Sequence, residues 1–156
     1  MKYLLIILSI FLYSFSTETN EKKHKEFNLS YSYAGLGSQI GSIQPFFTIQ
    51  GNSFHYINQQ NSSFEELTVK PDTILSGKII DQKIDSILSI SNSINDTLIY
   101  KTNPNITSGG IVYLSINNLQ FKLHNTWDSR AQKIIDIINS QLPQNVKKLF
   151  IPKIEN

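Results

Sequence analysis

The chain has 156 residues, with 14 Lys and Arg against 12 Asp and Glu, and no cysteine. So balanced a charge gives no electrostatic footprint for nucleic acid or for an anionic membrane. Without cysteine there is no disulfide, no thiol nucleophile and no lipid-bearing cleavage site, so the fold has to stand on packing alone.

Residues 1–16 read as a cleavable export signal. Lys2 supplies the positive start, Tyr3 to Tyr13 is apolar apart from Ser9, and Ser14 and Ser16 place small residues before a cut at Thr17. The run is shorter than the about 20 apolar residues a membrane span needs. Membrane contact is therefore expected only through the uncleaved signal, and the location is secreted or periplasmic. The cut removes Lys2, leaving 13 basic side chains of the 14 against 12 acidic ones.

Residues 17–26 form a charged leader whose Lys22-Lys23-His24-Lys25 run is flanked by Glu21 and Glu26. It reads as a flexible, solvated segment with His24 exposed. Residues 27–156 read as one domain. Phe27 to Ala34 alternates, with Phe27, Leu29, Tyr31 and Tyr33 on one side, which is a half-buried strand. Gly35 to Gly41 is a glycine-spaced loop. Its spacing departs from the dinucleotide fingerprint and no helix follows. Pro45 to Gln50 and Ser53 to Gln59 read as a hairpin turning at Gly51-Asn52. Phe64 to Val69 is a further short strand.

Ile74 to Ile80 leads into a helix that Asp81 caps, with Ile84, Ile87, Leu88, Ser91 and Ile94 on one face and Asn95-Asp96 as its end. Leu98 to Lys101 is a short strand and Thr102 to Gly110 a loop. Ile111 to Asn117 and Leu119 to His124 form a second hairpin. A last helix, capped by Asn125 or Thr126, carries Ala131, Ile134, Ile135, Ile138 and Leu142 as an apolar stripe and stops at Pro143. Leu149 and Phe150 of the tail are expected to pack back on the domain. Hairpins interleaved with helices predict an α+β two-layer sandwich: an antiparallel sheet of four to six strands with two helices on one face.

The composition tempers motif reading. Two Ala and one Arg stand beside 13 Lys and many Ile and Asn, the codon bias of an AT-rich genome, and together with export and no disulfides this points to a bacterium. Glycosylation-type patterns at Asn28, Asn61, Asn95 and Asn105 are expected by chance in such a chain.

Chemistry-bearing residues are few. His55 and His124 sit on strands, facing away from the apolar side. A metal site or a small secreted enzyme would need them to converge with a carboxylate, yet no close ligand spacing is present. No serine lies in a nucleophile elbow. Glu65 and Glu66 alternate faces, and Asp81 and Asp85 favour a helix N-terminus. No catalytic residue, cofactor or metal is assigned.

The densest cluster is His124-Asn-Thr-Trp-Asp-Ser-Arg130 at the strand-to-helix junction. It holds the only Trp and the only Arg. Free amides there suit an anion or polar ligand, which makes His124, Trp127, Asp128 and Arg130 the candidate ligand-binding residues. A cation in the first helical turn opposes the helix dipole, so Arg130 needs compensation from Asp128, from the Trp127 face or from a bound anion. The favoured arrangement has Trp127 anchoring the helix to the sheet and Asp128 paired with Arg130.

Ser76-Gly-Lys-Ile79, Asp85-Ser-Ile-Leu88, Gly110-Ile-Val-Tyr-Leu-Ser-Ile116, Phe121-Lys-Leu-His-Asn125 and the helix ending Leu142-Pro143 resemble uncharacterised small exported proteins of Bacteroidetes-type bacteria, over roughly residues 44–150. The resemblance implies location and fold, and it carries over no catalytic residue. The expected role is a non-enzymatic exported domain binding a protein or small ligand. Two alternatives stand beside it: an enzyme built on His55 and His124, and an inhibitor or immunity-type protein working through the 102–110 loop. A flat aromatic patch around Tyr113 and Trp127 would favour partner binding.

Overall fold

The computed structural model describes residues 24–34, 47–58, 73–105, 110–146 and 148–152. The expected export signal, the expected Gly35–Gly41 loop, the expected Phe64–Val69 strand and residues 106–109 lie outside the described residues.

Seven strands form one sheet: β1 (Asn28–Ala34), β2 (Phe47–Gln50), β3 (Ser53–Asn58), β4 (Thr73–Lys78), β5 (Leu98–Thr102), β6 (Ile111–Ile116) and β7 (Leu119–His124). Among the described residues, helices α1 (Asp81–Asn92) and α2 (Ser129–Asn139) accompany the sheet in an α+β fold. The strand order is β4-β3-β2-β1-β6-β7-β5. Every neighbouring pair is antiparallel except β5 with β7, which is parallel. The sheet is thus larger than four to six strands, and mixed. The physical reason is the connection through α1, which leaves β4 at one edge and delivers β5 to the opposite edge. Seven strands span about 29 Å between the edge axes at ~4.8 Å each. A 12-residue helix covers about 18 Å of that, and short segments at its two ends supply the rest.

Alternation decides the two faces of the sheet. In register across it run Ile99, Phe121, Leu114, Tyr31, Phe47, Tyr56 and Leu75, and beside them Leu119, Ile116, Leu29, Ile49, Phe54 and Gly77. These residues belong to, or pack against, one core that also takes in Ile84, Ile87 and Leu88 of α1 and Ala131, Ile134, Ile135 and Ile138 of α2. Both helices therefore cover the same face, as their apolar stripes require. Gly77 is needed in this layer. A Cβ there would lie 2.6 Å from the Phe54 ring, which stacks on Phe47 with centroids 5.6 Å apart.

The tail completes the covered face. Leu149 and Ile151 are buried. The Asn139 side chain donates to the Leu149 carbonyl at 2.8 Å and accepts from its N–H at 2.9 Å. Lys148 Nζ donates to the carbonyls of Asn139, Leu142 and Pro143, a cation placed where the dipole of α2 favours one. The buried Tyr31 hydroxyl donates to the Phe150 carbonyl at 2.7 Å, and burial pushes its phenol up to about 12.

Three local expectations change. The residue before α1 is Ile80, in extended conformation and with no side-chain cap bond, so Asp81 lies inside the first turn. Residue 81 instead meets the N-terminal segment: His24 Nε2 lies 3.0 Å from Asp85 Oδ1, and its Nδ1 lies 3.7 Å from Asp81 Oδ1. His24 is consequently only 12% exposed rather than solvated. The helix also ends earlier, at Asn92, where the Ser93 N–H and hydroxyl both donate to the Ile90 carbonyl.

Candidate functional site

The junction before α2 is built around Asp128, not around Asn125 or Thr126. Asn125 has φ 53° and is buried, and its N–H donates to the Gly110 carbonyl. That left-handed residue turns the chain out of β7, and three more residues pass before helical geometry begins. Asp128, in extended conformation, is the residue whose carboxylate meets the free amides. It accepts from Arg130 N–H at 2.9 Å and Ala131 N–H at 3.3 Å.

The same carboxylate, 2% exposed, also accepts from Arg130 Nε at 3.2 Å and Nη2 at 3.0 Å, and from Lys101 Nζ at 2.8 Å. Burial alone would raise the pKa of Asp128. The side-chain bonds from Arg130 and Lys101 and the two backbone amides outweigh it and hold the group well below the usual carboxylate range. The bond to Asp128 in turn pushes the Arg130 guanidinium up. The cation in the first turn is thus compensated by the cap itself. Lys101 faces inward from edge strand β5, so the same ion pair ties the last strand to the last helix.

The four candidate ligand residues divide accordingly. Asp128 and Arg130 are together and bonded to each other. Trp127 is 42% exposed and so does not serve as a core anchor. His124 lies on the uncovered face of β7, with its ring 3.4 Å from the Thr102 hydroxyl. His55, hydrogen-bonded to Ser76 at 2.9 Å, lies on β3, four strands from β7, about 19 Å across the sheet. The two histidines do not form one site. Among the described residues, no group of three His, Asp or Glu is placed to hold a metal.

On the uncovered face the sequence singles out His55, His124 and Tyr113, but not Tyr100 or Lys122. Across β5, β7 and β6 run Tyr100, Lys122 and Tyr113 in register. Lys122 Nζ lies 5.5 Å from the Tyr100 centroid and 5.6 Å from that of Tyr113, cation–π range for both. Tyr100 and its neighbour Leu98 are each 56% exposed. One row along, Gln120, Ser115, Ser30, Thr48, His55 and Ser76 also stand in register. A shallow, open depression of about 170 Å³ lies among Ser30, Thr48, Ser115, Gln50 and Asn28. The charged side chains at uncovered-face strand positions, Lys78 and Lys122, are both cationic, while Asp81, Asp85, Asp128 and Asp136 all stand in or before the helices.

Comparison with protein-family models, with curated proteins and with solved structures gave no match.

Proposed function

We propose that this chain is an exported, non-catalytic binding domain that holds its partner on the uncovered face of the sheet. One observation carries the reading. The helices and the tail saturate one face with apolar contacts, while the opposite face presents Tyr100, Lys122 and Tyr113 beside a row of hydroxyl and amide side chains. A sheet needs only one apolar face to fold. Large aromatics on its other face are expendable for the core, and aromatic residues are the type most enriched in recognition surfaces. The densest charged cluster is accounted for by structure, because Asp128 is occupied by two amides and two cations.

The test is a lysine-acetylation footprint of the protein in place in its host and after purification. Lys78 and Lys122 should be protected in place and reactive when purified, while Lys133 on α2 reacts alike in both. Equal reactivity of Lys122 in the two states overturns the reading. Recovery of the protein from the cytosol with Met1 intact overturns the export half of it.

A further inference from the structure

Resting on that reading, we propose that the partner is an acidic polysaccharide, with a uronate carboxylate seated on Lys122 between Tyr100 and Tyr113 and the adjoining sugar hydroxyls on the depression at Ser30, Thr48 and Ser115.

Charge is the first argument. Among the described residues no carboxylate comes within ion-pair distance of Lys122, in contrast to Lys101 and Arg130, which share Asp128. The Lys122 ammonium lies between the two tyrosine rings. Their faces steady the cation without neutralising it, so its full charge is available to an anion. The other charged position on this face, Lys78, has the same sign. The face is therefore complementary to negative charge although the chain is close to neutral.

The neighbouring row sets the class of ligand. Ser115 is two residues from Tyr113 on β6 and faces the same way, about 7 Å along the strand. Ser30 and Thr48 follow it in register, so hydroxyls that both donate and accept line the depression together with Leu29 and Ile49. Sugar hydroxyls have that same double character. An acidic peptide shares the charge but lacks the repeated donor–acceptor hydroxyls that this row would match. A bilayer would call for several clustered cations, whereas Lys78 is on edge strand β4, five strands from Lys122 on β7. The juxtaposition of one steadied cation with uncharged hydroxyls and amides fits a chain of hydroxylated rings bearing carboxylates.

The experiment is calorimetric titration of the host-purified protein with oligogalacturonate. The comparators are a neutral cello-oligosaccharide, poly-L-glutamate and phosphatidylglycerol vesicles. Oligogalacturonate should bind, and more weakly as salt rises. Lys122→Gln should weaken binding roughly tenfold or more, and Lys122→Arg should retain most of it. Tyr113→Ser and Ser115→Trp should each weaken it, with thermal melts confirming that the variants fold, while Lys133→Gln binds as wild type does. Binding unaffected by Lys122→Gln, equal binding of the neutral oligomer, or binding of poly-L-glutamate or vesicles in place of oligogalacturonate each overturns the proposal. If Lys122 is protected in the host but oligogalacturonate does not bind, the ligand class is wrong and the surface stands. If Lys122 is unprotected as well, both fall.

Discussion

Replacing Asp128 by Ala removes five bonds to one carboxylate, and the structure fixes how much that should matter. Loss of the cap on the Arg130 and Ala131 amides costs about 1 kcal/mol. The two ionic bonds are discounted because Lys101 and Arg130 are themselves 44% and 41% exposed and regain water when released. Each then falls in the range of exposed pairs, about 0.5–1 kcal/mol. The total is about 2–3 kcal/mol, less than the about 3–5 kcal/mol seen when a fully buried pair is broken. Asp128→Asn keeps an amide-accepting cap and should cost only about half as much. Urea denaturation of the three proteins measures both. Because the folded state holds the pKa of Asp128 below its ordinary value, its contribution is complete above about pH 4. It is lost as the pH falls from there towards the depressed folded-state value. Asp128→Asn should therefore flatten the acid limb of stability against pH. Asp128→Ala within about 0.5 kcal/mol of wild type, the range for unimportant surface sites, would refute the reasoning.

Other expectations follow from the same contacts. Ile135→Ala, at a fully buried position, should cost about 2–5 kcal/mol by denaturant melt. Arg130→Gln should cost less than about 1 kcal/mol, since the guanidinium is half in water and the cap remains. Tyr31 stays neutral to about 12 when folded, so its contribution is complete below about pH 10 and is lost as the pH rises through 12. Tyr31→Phe should flatten that alkaline loss in a pH series of melts. Asn139→Ala removes both bonds to Leu149 and should speed limited proteolysis in the tail, with about 1–3 kcal/mol lost from the melt.

Where short-range pattern decides, the sequence was legible. Alternation placed β1, β3, β6 and β7 within a residue or two, because each has one face buried and a register slip would turn its apolar set outward. Gly51-Asn52 and Asn117-Asn118 both turn hairpins, with φ above zero at Gly51 and Asn117. The Ala131–Ile138 stripe faces the core as its spacing required. What escaped depends on distant partners. Nothing local in Leu98–Thr102 says that it joins β7 in parallel as the seventh strand. Nothing local says that Lys101 would meet Asp128, 27 positions on in the numbering, or that His24 would lie against α1. The helix cap was misplaced because Asn125 is as good a capping residue as Asp128, and the left-handed turn that disqualifies it shows only in the fold. Trp127 is expected to anchor the last helix to the sheet, yet in this fold it is left largely exposed.

The central claim is that the uncovered face is a working surface and not part of the core. The most direct measurement is the acetylation of Lys122 in the host for a Tyr100→Ser, Tyr113→Ser double variant. The melt of the purified double variant should stay within about 1 kcal/mol of wild type, since Tyr100 is exposed and Tyr113 is half-buried outside the core. Lys122 in the host should then become as reactive as in the purified protein. A double variant that unfolds as a core substitution does, or one in which Lys122 stays fully protected in the host, would contradict the account.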